Sequence, residues 1–147
     1  MRKVKAMILL LVILVAFGGC LATNPDEYLG NDEAKLNSIY EFETAVKDLG
    51  IKFTKDTCFY EMVGAKDGYK LTASDNGAVL ELYAFDPSSD DYSAAQLTGR
   101  LTISSMDHSF DAVVANGYAI VMEEAFPQRA EVYELFYTLQ SEEIPAE

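Results

Sequence analysis

The stretch Tyr69-Lys70-Leu71-Thr72-Ala73-Ser74-Asp75-Asn76-Gly77-Ala78-Val79-Leu80-Glu81-Leu82-Tyr83-Ala84-Phe85 decides the fold. Two runs suited to extended backbone flank Ser74-Asp75-Asn76-Gly77, a cluster of turn residues, so residues 69–73 and 78–85 are expected to pair as an antiparallel hairpin. The second run carries Val79, Leu80, Leu82, Tyr83, Ala84 and Phe85 on both faces of its pleat. A strand apolar on both sides needs cover on both sides, which places it centrally in a larger sheet. Lys66-Asp67-Gly68 reads as the turn leading into the hairpin.

Working towards the C-terminus, Asp86-Pro87-Ser88-Ser89-Asp90 breaks the strand. Residues 90–98 then form a helix whose acidic first turn suits the helix dipole, with Gly99 as its stop. Strands are expected over residues 101–105, 109–115 and 118–123, as a small meander. Asn116-Gly117 between the last two is a strong short-hairpin signal. Pro127 opens a last helix with Val132, Leu135, Phe136 and Leu139 as its apolar stripe, and residues 141–147 are an acidic tail.

Towards the N-terminus, residues 54–65 are ambiguous. Phe59, Met62 and Val63 fit a helical turn, Phe59-Tyr60 also fits a strand, and a short helix is the favoured reading. Before it, Asn31 or Asp32 caps a helix running to about Leu49, in which Leu36, Ile39, Phe42, Val46 and Leu49 recur at helical spacing and Gly50 is the stop. The sum is an α+β domain over residues 31–140: an antiparallel sheet of about five strands with helices packed on one face.

The first thirty residues have another character. Arg2, Lys3 and Lys5 precede an uncharged apolar run, residues 6–17, of secretory length. Phe17-Gly18-Gly19-Cys20 follows and resembles the lipobox of bacterial lipoproteins, with Phe17 where leucine is usual. The resemblance implies that residues 1–19 are a signal helix removed on export, that the cut falls between Gly19 and Cys20, and that the Cys20 thiol carries a diacylglycerol through a thioether. Two or three acyl chains, at about 0.8 kcal/mol for each buried methylene, give a stable anchor where one is marginal. The competing readings are an uncleaved span over residues 6–22 and an ordinary cleaved signal; Gly18, Gly19 and the short apolar core weigh against the span. Residues 20–30 then form a lipidated tether.

The same reading sets the electrostatics. The chain of 147 residues carries 11 Lys and Arg against 24 Asp and Glu, a formal charge of −13. Removal of residues 1–19 takes away three of the basic residues and none of the acidic ones, leaving −16 on the remaining 128. Such a field disfavours nucleic acid and anionic lipid headgroups and favours cationic ligands. With Cys20 lipidated, Cys58 has no partner for an intramolecular disulfide and is expected as a small, packed hydrophobe.

Candidate chemistry is sparse. A Cys58–His108 nucleophile pair has no spacing to support it. Asp86, Asp90 and Asp91 offer oxygen ligands without the spacing or central glycine of a calcium loop, and helix capping accounts for them better. His108 between Asp107 and Asp111 is too few ligands for zinc. Glu123 and Glu124 are adjacent, so in a strand they point to opposite faces. Ser104, Ser105 and Ser109 lie outside any nucleophile elbow. The tyrosines at 28, 40, 60, 69, 83, 92, 118, 133 and 137 could furnish an aromatic binding face, although most are expected in the core with hydroxyls at its rim.

Gly64-Ala65-Lys66-Asp67-Gly68-Tyr69-Lys70, Glu81-Leu82-Tyr83-Ala84-Phe85 and Phe110-Asp111-Ala112-Val113-Val114-Ala115-Asn116-Gly117-Tyr118 together resemble small uncharacterised lipoproteins of Gram-positive bacteria. That likeness spans residues 31–139 and carries no functional residues. The expectation is an extracytoplasmic lipoprotein anchored in the cell membrane through Cys20, without catalytic residues, metal or cofactor. Its domain is expected to bind another envelope or extracellular protein, through a sheet edge or an exposed tyrosine patch. The alternatives are a small-ligand-binding lipoprotein serving a transporter and a cryptic enzyme using acids or Cys58.

Overall fold

A computed structural model describes residues 35–140 of the chain. The signal segment 1–19, Cys20, the tether 20–30 and the tail 141–147 lie outside the described residues. The described part is α+β. Its elements are α1 (Ile39–Asp48), β1 (Phe53–Thr57), a 3-10 turn (Tyr60–Val63), β2 (Asp67–Ala73), β3 (Val79–Ala84), α2 (Asp90–Thr98), β4 (Arg100–Ile103), a second 3-10 turn (Ser104–Met106), β5 (His108–Asp111), β6 (Val113–Ala115), β7 (Tyr118–Met122) and α3 (Arg129–Thr138).

Five strands form one antiparallel sheet in the order β1-β2-β3-β7-β6, and β4 and β5 form a separate two-stranded ladder. The expected hairpin forms, with Leu71 opposite Leu80 and Tyr69 opposite Leu82. β3 lies at the centre between β2 and β7. Its alternation sorts the core into two layers. Leu80, Leu82 and Ala84 face a cluster containing Phe42, Val46, Leu71, Ile120, Val132 and Phe136, which α1 and α3 cover. Tyr83 and Phe85 face a second cluster with Val63, Tyr92, Ala95, Leu101 and Ala119. Helices on one face therefore describes α1 and α3, while α2 and the β4–β5 ladder cover the other face.

Local chemistry explains most boundaries. Asn116 and Gly117 both take positive φ, 53° and 84°, the two-residue turn expected of Asn-Gly between β6 and β7. Ser89 caps α2 by accepting a hydrogen bond from the Tyr92 backbone N–H at 3.1 Å, and Gly99 ends it in the left-handed region.

Five expectations are corrected. The first helix among the described residues starts at Ile39 and is capped by Ser38, while Asn31 and Asp32 lie outside the described residues. Ser38 accepts from the Glu41 N–H while the Glu41 carboxylate accepts from the Asn37 N–H, a variant of the capping box. Leu36, which fits the helical period, instead pairs in parallel with Leu139 at the end of α3. Residues 54–65 are not one helix: β1 occupies Phe53–Thr57, and only the 3-10 turn Tyr60–Val63 is helical. Lys66-Asp67-Gly68 does not make a separate turn, because β2 already begins at Asp67. Residues 109–115 divide between two sheets at Ala112, whose N–H donates to the Gly99 carbonyl at 2.9 Å. Pro127 precedes α3 by two residues: Phe126 is buried and the Gln128 side chain donates to the Leu49 carbonyl at 2.9 Å, which holds the approach as a turn.

Candidate functional site

β1 is the long edge of the five-stranded sheet. Of its residues only Phe53 packs against the core, and Thr54 to Thr57 are exposed. Beside it runs a groove of about 440 Å³, open along one side and lined by Tyr40, Lys55, Asp56, Thr57, Tyr60, Asp67, Gly68 and Tyr69. A smaller recess of about 150 Å³ shares Tyr40 and Asp67 as walls and continues past Asn37, Ser38 and Lys66. Thr57 pairs with Tyr69 and Lys55 with Leu71, so Lys55 and Thr57 share the α1 face of the sheet with Tyr69.

Lys55 is the organising cation. Its Nζ lies 4.9 Å from the centre of the Tyr40 ring and 4.5 Å from that of Tyr69, and it pairs with Glu43 at 2.5 Å. Glu43 also takes Lys47, at 2.6 Å. Partial burial raises the Glu43 carboxyl, but the two lysines outweigh it and hold it below the usual glutamate range. The Tyr69 hydroxyl donates to the Ile39 carbonyl at 2.6 Å, tying β2 to the first turn of α1. Burial first, then Glu43 and Asp67, push that hydroxyl far above the ordinary tyrosine range. Tyr40, 59% exposed, extends its hydroxyl to Asp67 Oδ2 at 3.4 Å. Asp67 makes no ion pair among the described residues.

No family model, curated protein or solved structure matches this chain. Among the tyrosines, 40, 60 and 69 come together in the groove. Tyr69, Tyr83, Tyr92 and Tyr118 are buried, Tyr133 is half-buried, Tyr137 is exposed, and Tyr28 lies outside the described residues. Lys55 and Asp67 were not legible as site residues, since one lies in a segment read as helix and the other in a segment read as a turn.

The remaining candidates are dispersed. His108 is exposed at the start of β5 with its ring 6.4 Å from Phe110, and among the described residues no hydrogen bond joins it to Cys58. Asp86 accepts from the Ser88 N–H and hydroxyl at 2.9 and 2.7 Å, bonds that lower its carboxyl. Asp90 and Asp91 form the first turn of α2. No group of three or more metal-ligating side chains occurs among the described residues. Glu123 accepts from the Val79 N–H at 3.0 Å and so closes the start of β3, while Glu124 sits in the turn after β7. Ser104 and Ser105 belong to the second 3-10 turn, and Ser109 accepts from Arg100 across the β4–β5 ladder.

Cys58 is half-buried against the second core cluster. Burial, with Glu81 and then Asp67 adding negative charge, pushes its thiol up to about 11. At pH 8 a thiol held that high is almost wholly protonated. Alkylation of the folded protein by iodoacetamide at pH 8 is therefore expected to run at least tenfold slower than in urea, with a rate that keeps rising to pH 11. A folded-state rate equal to the unfolded one would refute this placement.

Proposed function

We propose that this chain is an extracytoplasmic lipoprotein, held in the cell membrane through acyl chains on Cys20, and that its domain is a binding module without catalytic activity. The observation that supports a binding role is the outer edge of β1. Every second residue of an edge strand directs its N–H and C=O outwards, and those of β1 bond to nothing among the described residues. A tyrosine-walled groove lies alongside. Membrane attachment is argued from Phe17-Gly18-Gly19-Cys20 in the sequence; among the described residues no helix is long and apolar enough to cross a membrane.

Two measurements test the two halves of this reading. Cys20→Ser is expected to abolish incorporation of labelled palmitate and leave unprocessed precursor; normal processing would end the lipoprotein reading. A photoreactive residue in place of Thr54 on β1 is expected to crosslink to a discrete partner on intact cells, whereas one at Asp75 in the hairpin tip is not. Equal crosslinking from both positions, or none from Thr54, would end the assignment to β1. The groove volume favours a second reading, a lipoprotein that passes a small solute to a transporter, since 440 Å³ lies in the range of small-ligand sites. Solute bound in the groove and lost in Tyr40→Ala, without any protein crosslink at Thr54, would select it.

A further inference from the structure

We infer that the partner presents an extended, basic peptide segment that adds to the sheet along β1 and places a Lys or Arg side chain on Asp67. The inference rests on the binding role proposed above and names the class of partner. Three features of the groove converge on it. First, the outer edge of β1, unpaired among the described residues, offers main-chain hydrogen bonds, which recruit an extended segment of any sequence, so selectivity must come from side chains alongside. Second, the two recesses adjoin at Tyr40 and Asp67, one on each side of this shared wall, and both are open to the surface instead of enclosed. Such a shape accommodates a chain in passing.

Third, the charges are complementary to a cation and already hold one. Lys55 shows what this surface does with an ammonium group: two tyrosine faces and a carboxylate surround it. Lys55 shares the Glu43 carboxylate with Lys47, whereas Asp67, among the described residues, makes no ion pair and bonds to the Tyr40 hydroxyl and the neighbouring Gly68 N–H, and Asp56 is exposed. An added strand would run about 10 Å from β2, two strand spacings away. Lys and Arg are the cationic side chains long enough to cross most of that gap, laying their stems along the Tyr40 ring. The acidic excess of the chain steers a basic segment towards the surface and opposes an acidic one.

The probe is a fluorescent ten-residue peptide of alternating Lys and Thr, with a Glu–Thr peptide of the same length as control. Binding to the full chain in neutral detergent is read by anisotropy. The Lys–Thr peptide is expected to bind and the Glu–Thr peptide not. Asp67→Asn is expected to weaken binding about tenfold, Asp75→Asn less than twofold, and N-methylation of alternate peptide residues is expected to abolish it; circular dichroism confirms that both variants keep the fold. Equal losses from Asp67→Asn and Asp75→Asn would reduce the effect to diffuse charge attraction and overturn the proposal, as would undiminished binding of the N-methylated peptide or no binding at all. A crosslinked partner at Thr54 whose docking segment is not basic would overturn this inference while leaving the binding role intact.

Discussion

Phe42→Ala is expected to lower the unfolding free energy by about 3–5 kcal/mol, the cost of truncating a fully buried phenylalanine. Phe42 has no exposed surface. It projects from α1 into the layer formed with Val46, Leu71, Leu82 and Phe136, between α1, α3 and the sheet. The backbone on both sides of it is fixed by a helix and by the two innermost strands of the hairpin. The space left by the ring is therefore filled only in part, and the lost contacts are added to the lost transfer energy. Against a total stability of about 5–15 kcal/mol, this is enough to unfold a substantial fraction of the chain under mild denaturation. Phe59→Ala provides the contrast. Phe59 is 83% exposed beside the first 3-10 turn and is expected to change stability by no more than about 0.5 kcal/mol. Urea denaturation of both variants checks the pair; a Phe42→Ala loss below about 1 kcal/mol would mean that α1 is not docked on the sheet as described.

The parts of the fold that could be read from sequence are those whose information is local. The β2–β3 hairpin, the Asn116-Gly117 turn and the limits of α2 each depend on residues within a few positions of one another. The apolar residues on both faces of β3 even reveal that it is central, because burial on two sides leaves a direct mark on the sequence. β1 escaped for the opposite reason. An edge strand with Thr54 to Thr57 exposed buries nothing in a period of two, so its sequence carries no strand signal beyond Phe53. The start of α1 was misplaced because Asp32 and Ser38 are both good caps and Leu36 fits the helical period. Only the distant Leu139 decides that Leu36 stays extended. Likewise nothing near Ala112 states that β5 and β6 belong to different sheets. The groove is legible only in part: the tyrosines stood out as a class, but Tyr40, Lys55, Asp67 and Tyr69 come from three elements, and their meeting is a property of the packing of α1 on β1 and β2.

Gly68→Ala is expected to cost about 1–3 kcal/mol, as overpacking against fixed backbone does, and to act on the groove as well as on the core. Gly68 lies in β2 opposite Tyr83 and is buried. A Cβ there would stand 2.8 Å from the Leu82 carbonyl oxygen, 3.0 Å from Tyr60 Cβ and 3.1 Å from Cys58 Sγ. These three neighbours differ in how readily they yield. Cys58 and Tyr60 belong to the connection between β1 and β2, and their side chains pack at the margin of the second core cluster, outside the strand ladder. The Leu82 carbonyl belongs to the central strand, held between β2 and β7, and moves only if the ladder loosens. The carbonyl contact therefore dominates, and removing the thiol relieves little: Cys58→Ala combined with Gly68→Ala is expected to recover less than half of the loss. Whatever relaxation does occur displaces Tyr60 from the wall of the groove and uncovers the thiol. Gly68→Ala should thus speed alkylation of Cys58 at pH 8 and weaken binding of the Lys–Thr peptide together. Full recovery of stability in the double variant would assign the close approach to Cys58 instead of the β3 backbone, and an unchanged alkylation rate would separate this glycine from the groove.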